Sequence, residues 1–415
     1  MKINRRRFIF GSVLVGGGAL FTYSATRPSR HRRANVDLAQ GEERYITSFI
    51  KIEPGNEITI YVPHSEMGQG IHTSLSMMAA DELDANWEEV NIEQAPAIDL
   101  FANGDLVRGF AGEFGVPDFL MGLVGASAFA VAEIGNLQTT GGSSSVRYTG
   151  EHGMRVAGAA ARKMLIEAAA VRWGVPVEGL STKLSHVQHN ATGRSFSYGE
   201  LAAEAALMEP PENPRLKDRS QFNIMGKAIS RNDIPAKVDG SAMYGLDAHS
   251  DDMLYAAIRM APVFGTKLVS ANTQPAFSVR GVEDVIELED SVAVVADSYW
   301  RAKKALELVE TEWEASENDS VSSTDIAARF DRELADSNGS KDKEVGDADA
   351  ALSSAADYIE ASYRVPYLAH AAMEPMNCTV HIKGDTADLW TSTQDALGIK
   401  GRVARIAGLK EDNVA

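Results

Sequence analysis

His64-Ser65-Glu66-Met67-Gly68-Gln69-Gly70-Ile71-His72-Thr73 joins two kinds of periodicity. Before it, Tyr45–Glu53 and Glu57–Pro63 alternate in polarity on either side of the turn Pro54-Gly55-Asn56, which predicts two short strands. After it, Leu75, Met78, Ala79 and Leu83 recur at helical spacing, so residues 64–73 read as a strand-to-helix turn. Backbone amides at such a turn point outward and bind anions. A second turn of this kind, Thr139-Thr140-Gly141-Gly142-Ser143-Ser144-Ser145-Val146-Arg147, opens a helical run from Gly150 to Trp173 with Met154, Ala157, Ala161, Leu165 and Ala168 along it. A lone glycine–hydroxyl turn usually just caps its helix, but two in one domain add weight to a ligand-binding reading. Neither ends in the Gly-Lys-Ser/Thr of a P-loop, and neither has the Gly-x-Gly-x-x-Gly spacing of a dinucleotide turn.

The 415 residues, 44% hydrophobic and 24% charged, are enough for two or three globular domains and exclude wholesale disorder and fibrous folds. Forty basic against 58 acidic residues give a net charge of −18, which repels phosphate polyanions, so no nucleic-acid partner is expected. The single cysteine, Cys378, excludes an intrachain disulfide and an iron–sulfur cluster held by this chain alone.

Residues 1–33 hold eight basic residues and no acid, and without them the balance falls to −26. Asn4-Arg5-Arg6-Arg7-Phe8-Ile9 leads into the apolar run Phe8–Ala25, the layout of a charged n-region and an h-region. That run is borderline for a membrane span and its glycines weaken it further. An uncleaved N-terminal anchor and a disordered basic tail are the alternatives to an export signal. The arginine pair ahead of Phe8 and Ile9 resembles a twin-arginine signal, although no clear Ala-x-Ala site follows. That route exports folded proteins and suits a chain that encloses a prosthetic group, so periplasmic export is the expectation.

Residues 101–130 are rich in Gly, Phe and Ala without a clean period and read as a substrate-side loop or as packing. Ala206–Ser220 is Pro-rich and charged, a linker. From Gly226, Leu254–Arg259, Val282–Ile286, Val292–Ala296 and the helical Tyr299–Val309 predict a small mixed domain. The acidic stretch 314–350 reads as a solvated linker with one helix, Thr324–Ala335. In Tyr367-Leu368-Ala369-His370-Ala371-Ala372-Met373-Glu374-Pro375-Met376-Asn377-Cys378, a carboxylate lies between methionines. Burial would raise its pKa, as in many active sites, whereas a surface Glu before Pro is the commoner outcome.

Four blocks in order, Glu66-Met67-Gly68-Gln69-Gly70 with Thr73, Thr140–Arg147, Asp233-Ile234-Pro235-Ala236-Lys237-Val238-Asp239-Gly240 with Tyr244-Gly245, and Ala369–Cys378, together resemble the molybdenum-binding large subunit of the xanthine dehydrogenase and aldehyde oxidase superfamily. More narrowly, the chain is similar to the branch of isoquinoline 1-oxidoreductase beta subunits over nearly all of residues 40–415. The resemblance implies an α+β fold. It places a twin-arginine-type leader at 1–35, the first part of a molybdenum-cofactor-binding domain at 36–205, a linker at 206–225, an inserted hammerhead-like α/β domain at 226–315, an acidic linker at 316–352 and the start of a second cofactor-binding part at 353–415.

In the family the metal is held by a pterin dithiolene, here molybdopterin cytosine dinucleotide, and not by side chains. The implied cofactor-binding residues are Met67, Gly68, Gln69, Gly70, Thr73, Gly141, Gly142, Ser143, Ser144, Ser145 and Arg147, whose amides, hydroxyls and guanidinium suit a pyrophosphate. Gln69 resembles the glutamine that hydrogen-bonds the apical oxo group of molybdenum, and Glu374 a substrate-pocket carboxylate. Against these stand plainer roles: Gln69 capping the following helix, Arg147 pairing with a surface acid, His72 and His370 as packing or surface histidines.

The implied reaction hydroxylates an aldehyde or the carbon beside a ring nitrogen, with oxygen from water. Electrons pass to a small subunit with two [2Fe–2S] clusters and then to a cytochrome or quinone-linked acceptor. The family's Gly-Gly-Gly-Phe-Gly and Gly-x-Gly-Glu blocks, the second carrying the catalytic glutamate, do not occur in these 415 residues. The chain therefore reads as the N-terminal part of a longer subunit, inactive when isolated. Alternatives are a non-catalytic cofactor scaffold completed by a second chain and a periplasmic solute-binding protein.

Overall fold

In the computed structural model, which describes residues 27–113, 121–336, 339–340 and 343–415, part of the expected leader is folded. Helix α1 (Arg30–Asp37) buries His31 and Ala34. The Arg30 guanidinium donates to the Leu100 carbonyl at 2.7 Å, and Arg33 pairs with Asp99 and Glu133. These arginines read as part of the leader because their partners lie 66 to 100 residues further on. Residues 1–26, with the twin-arginine stretch, lie outside the described residues.

The strand expected over Tyr45–Glu53 is broken into β1 (Arg44–Thr47) and β2 (Ile50–Ile52). Phe49 supplies the reason, since its ring is buried 6.3 Å from that of Phe101 and turns the chain back on itself. Strand β3 (Ile58–Val62) pairs antiparallel with β2, helix α2 (Ile71–Leu83) crosses over, and β4 (Val90–Gln94) returns parallel to β3. The turn 64–70 therefore sits at the carboxyl end of β3 and the start of α2, where strand–helix units expose backbone to ligands.

The aperiodic stretch 101–130 contributes to two helices, α3 (Gly104–Glu113) and α4 (Met121–Ile134). Beyond the second glycine turn the chain winds as a π-helix, Ser145–Met154, before α5 (Arg155–Trp173). Wide turns of this kind are uncommon and concentrate at functional sites. Helix α5 packs on α2 through Gly158, where a Cβ would come within 2.2 Å of the Ala79 carbonyl oxygen. Ile46, Ile50, Ile58, Ile60, Leu75, Leu83, Met164 and Leu165 form the core between sheet and helices. A meander of β5 (Leu180–Lys183), β6 (His186–His189) and β7 (Ser195–Ser197) and helix α6 (Tyr198–Ala205) complete this part.

The expected linker 206–225 is a strap held by two buried carboxylates of α2. Asp81 accepts from the amides of Asn223 (3.1 Å), Ile224 (3.0 Å) and Met225 (2.7 Å), and Glu82 accepts from the Lys217 amide (3.0 Å) and from Arg155 (2.7 Å). Burial alone would raise the Asp81 pKa, yet these amides and Lys217 outweigh it and hold the carboxyl below its ordinary value. Residues 226–248, including the short helix α7 (Ile234–Asp239), belong with this first unit.

The second unit, His249–Pro375, contains the antiparallel sheet β10–β11–β8, built from β8 (Tyr255–Met260), β10 (Val282–Glu287) and β11 (Ser291–Ala296). A ribbon pairs β9 (Leu268–Asn272) with β12 (Glu310–Trp313), and α8 (Tyr299–Glu307) packs on β8 and β11 over Val292, Val294, Ala302 and Ala305. Helix α9 (Ser323–Ala335) lies within the acidic stretch 314–350, and α10 (Ala348–Ser354) begins at its end. The chain then rejoins the first unit as the hairpin β13 (Cys378–Lys383) and β14 (Thr386–Thr391) and helix α11 (Ala396–Ala407). No helix among the described residues is long and apolar enough to cross a membrane.

Candidate functional site

Both glycine turns meet at one place. The Ser65 amide donates to Thr140 Oγ1 at 2.8 Å, and Ser65 Oγ donates to the Thr393 carbonyl at 2.7 Å. The Thr140 amide donates to the Gln394 carbonyl at 2.7 Å, while Thr139 bridges to Asp395. Three segments far apart in sequence are thus stitched edge to edge. Beneath them His64 is buried with Nε2 2.9 Å from Thr149 Oγ1 of the π-helix. Burial pushes the His64 pKa down to about 4, so the ring is neutral at physiological pH.

The first turn does not present a free anion-binding nest. Its own Glu66 fills it, one carboxylate oxygen accepting from the amides of Gly68 and Gly70, both at 2.9 Å, and the other from the His72 amide at 3.2 Å. A carboxylate at the start of α2 also opposes the helix dipole favourably. The expectation that these amides face outward is corrected by chain chemistry, because an acid two and four residues before the glycines reaches them first. Gln69 is exposed and caps no helix: its Nε2 donates to the Ser65 carbonyl at 2.9 Å and its Oε1 accepts from the Met67 amide. Met67 is exposed, Gly68 has φ +92° with open space on its side-chain face, and Gly70 has φ +79°. Thr73 is buried and turned away from the turn, donating to Asn232 Oδ1 at 2.7 Å and accepting from the Asn232 amide at 3.1 Å.

The second turn satisfies itself with hydroxyls. The Gly141 amide donates to the buried Ser145 Oγ at 2.8 Å, and Ser144 Oγ donates to the Gly141 carbonyl. Gly142, with φ +49°, and Ser143 are exposed, and the Gly142 side-chain face is open. Arg147 is exposed with its guanidinium 4.5 Å from the centre of the Tyr148 ring and a nitrogen 2.5 Å from the Tyr148 hydroxyl. Below this turn Asp105 is buried beside Gly153, and burial raises its pKa to about 6 despite Arg30 and Arg108 nearby.

Glu374 is half-buried and belongs to the second unit. His72 Nε2 lies 3.0 Å from the His64 carbonyl and 2.9 Å from Gln94 Oε1, a packing role, and His370 is exposed. Sequence reasoning missed the Glu66 carboxylate, Arg231 and Asn232, and the backbone of Thr393–Asp395. Only the first had a visible signal, an acid at fixed spacing before two glycines.

Residues 17–105 and 331–415 each match the family model of a molybdopterin cofactor-binding domain, and these matches contain the first turn and the Thr393–Asp395 segment. These matches give the chain two molybdopterin cofactor-binding segments and make it similar to the molybdenum-binding subunits of the xanthine dehydrogenase and aldehyde oxidase superfamily.

It is 29% identical over 408 residues to the beta chain of isoquinoline 1-oxidoreductase from Brevundimonas diminuta, covering 88% of this chain and 49% of that one. It is 28% identical over 412 residues to the membrane-bound aldehyde dehydrogenase (pyrroloquinoline-quinone) of Gluconacetobacter polyoxogenes, covering 95% and 48%. To a nicotinate dehydrogenase subunit of Pseudomonas putida it is 24% identical over 388 residues, covering 90% and 29%. The chain spans about half the length of the first two. The site suits a bulky bound group in one respect: Gly68 and Gly142 leave their backbones open to close approach.

Proposed function

We propose that this chain supplies the cofactor-binding framework of a molybdenum hydroxylase. Its substrate would be an aldehyde or an N-heteroaromatic ring, with water as the oxygen source. The observation that carries the reading is the convergence of Ser65, Thr140 and Thr393–Gln394 at the carboxyl end of β3, with Gly68 and Gly142 exposed. When bound, the molybdenum–pterin group supplies the two-electron redox chemistry.

The chain's own residues hold and orient. Gly68 and Gly142 let backbone approach the group, Gly70 supplies the left-handed bend between them and the helix, and Gln69 offers an amide donor once it leaves the Ser65 carbonyl. Ser143 and Arg147 are exposed donors suited to the pyrophosphate of a cytosine dinucleotide. Met67 contributes an apolar wall, while Thr73, Ser144 and Ser145 keep the two turns in shape. Glu374 is assigned to the substrate side and the general base to sequence outside these 415 residues. Further elements of the reading are electron transfer to a small [2Fe–2S] subunit and on to a cytochrome or quinone-linked acceptor, with periplasmic export through the twin-arginine stretch.

The test is metal and nucleotide analysis of the protein purified from its own host. Near-stoichiometric molybdenum and acid-released CMP are expected, falling together in a Gln69→Ala, Gly142→Val double variant. A folded protein devoid of both would overturn the reading.

A further inference from the structure

We propose that Arg231 is a positioning residue, a latch that fixes the Glu66–Gly70 turn and through it the placement of Gln69. Its link to Gln69 as a cofactor contact rests on the function proposed above; its grip on the turn does not. Arg231 lies 161 residues beyond Gly70, in a segment that also contains the buried-threonine partner Asn232. Its Nη1 donates to the Gly68 carbonyl at 2.6 Å and its Nη2 to Glu66 Oε1 at 3.3 Å. Its side chain also lies 3.8 to 4.0 Å from where a Cβ on Gly70 would stand, so the guanidinium stem packs on the glycine itself.

One side chain thereby touches the first, third and fifth residues of the turn. The Glu66 oxygen it reaches is the one that accepts from the Gly68 and Gly70 amides, so cation, carboxylate and amides form a closed circuit. The guanidinium is itself aimed from behind. Arg231 Nε donates to Asp233 Oδ1 at 2.9 Å, Nη2 reaches Asp233 Oδ2, and Lys237 Nζ also holds Asp233 at 2.6 Å. The double hydrogen bond between Thr73 and Asn232 pins the same segment to α2. A forked planar donor suits a carbonyl and a carboxylate at two different angles, which a lysine ammonium on a flexible stem does not reproduce.

The latch also gives Glu66 a reason to stay in the nest. Filled by a carboxylate alone, the nest would be exchangeable with any anion of similar size. Tied to a cation that is tied in turn to the Gly68 carbonyl, the carboxylate is part of the turn's frame, and the turn offers a ligand its outer face: Gly68, Gln69 and Met67, all exposed.

The experiment uses the complete protein from its own host, comparing wild type with Arg231→Ala, Arg231→Lys, Glu66→Gln and the Glu66→Gln, Arg231→Ala double variant by amide hydrogen exchange resolved to residues 64–73 and 155–173. Molybdenum and CMP content are measured on the same samples. Arg231→Ala is expected to speed exchange in 64–73 by about ten- to a hundredfold, the effect of losing charge-assisted hydrogen bonds, with 155–173 unchanged. Arg231→Lys should fall closer to the alanine variant than to wild type, and Glu66→Gln should act less than additively with Arg231→Ala. Unchanged exchange at 64–73 in a folded Arg231→Ala protein would overturn the latch. Faster exchange with full molybdenum and CMP would keep the latch and instead remove the turn's assignment to the cofactor.

Discussion

The two glycine turns open helices that pack on each other, yet they are held by different means. The first is fixed by charge, with Glu66 inside the turn and Arg231 reaching in from a distant segment. Within Gly141–Ser145 the second is fixed by neutral hydroxyls drawn from its own sequence, Ser144 and Ser145, while Thr139 and Thr140 at its entry bond to Asp395 and Gln394. Local hydroxyls close as soon as their helix forms, whereas a remote cation must wait for tertiary structure. The groups beneath them differ too: neutral His64 under the first, and Asp105, with its raised pKa, under the second.

The most damaging way to test this pairing is at Gly158, the crossing point of the two helices. Gly158→Ala puts a methyl carbon 2.2 Å from the Ala79 carbonyl oxygen, against backbone that cannot rotate away. A loss of about 3 kcal/mol or more is expected in denaturant unfolding, with both turns loosened together. Loosening of only one would show that the turns do not share their support.

Asp105 and His64 are separated by pH. The folded-state pKa of Asp105 is raised to about 6, so between its unfolded value near 3.8 and pH 6 the folded state binds more protons, and stability falls as pH rises. The folded-state pKa of His64 is lowered from 6.5 to about 4, so over nearly the same range the unfolded state binds more protons, and stability rises with pH. The two slopes oppose each other. Asp105→Asn should unmask the histidine: the stability of the variant relative to wild type should climb by about 1.4 kcal/mol per pH unit between pH 4 and 6. A flat difference across that range would place Asp105 in water rather than under the second turn.

Smaller effects sharpen the contrast between charge and hydroxyl. Ser145→Ala removes the acceptor of the Gly141 amide inside the fold and should cost about 1 to 2 kcal/mol, nearly independent of salt, measured by urea unfolding at low and high ionic strength. Salt dependence of that loss would blur the distinction. Gly142→Ala, with φ +49° and open space around it, should cost only about 1 kcal/mol, the conformational penalty without a clash. A much larger loss would mean that the Gly142 face is covered.

Both turns were legible because each joins glycines to the onset of a helical period, a signal contained within about ten residues. The α2 pattern of Leu75, Ala79 and Leu83 lies on its buried face as expected. What stayed hidden depends on distance. The strap 217–225 looks like a linker because its prolines and charges are local, while the buried Asp81 and Glu82 that hold it lie some 140 residues earlier. Arg231 is one arginine among many until the fold sets it on Gly70. The break at Phe49 has no turn residue to announce it, since an aromatic anchored in the core does the bending. Glu374 was singled out on the apolar residues around it, but sequence neighbours do not bury a side chain, and in the second unit it is only half-buried.

The first unit takes up Met376–Ala415 after the chain has passed through His249–Pro375. On the ribosome this sets an order of events. At about 5 to 20 residues per second, roughly 130 residues of the second unit take on the order of ten seconds to emerge. During that interval Ser65 and Thr140 have each other, but not the carbonyls of Thr393 and Gln394. The nascent chain therefore spends that interval with the edge formed by the two turns one segment short.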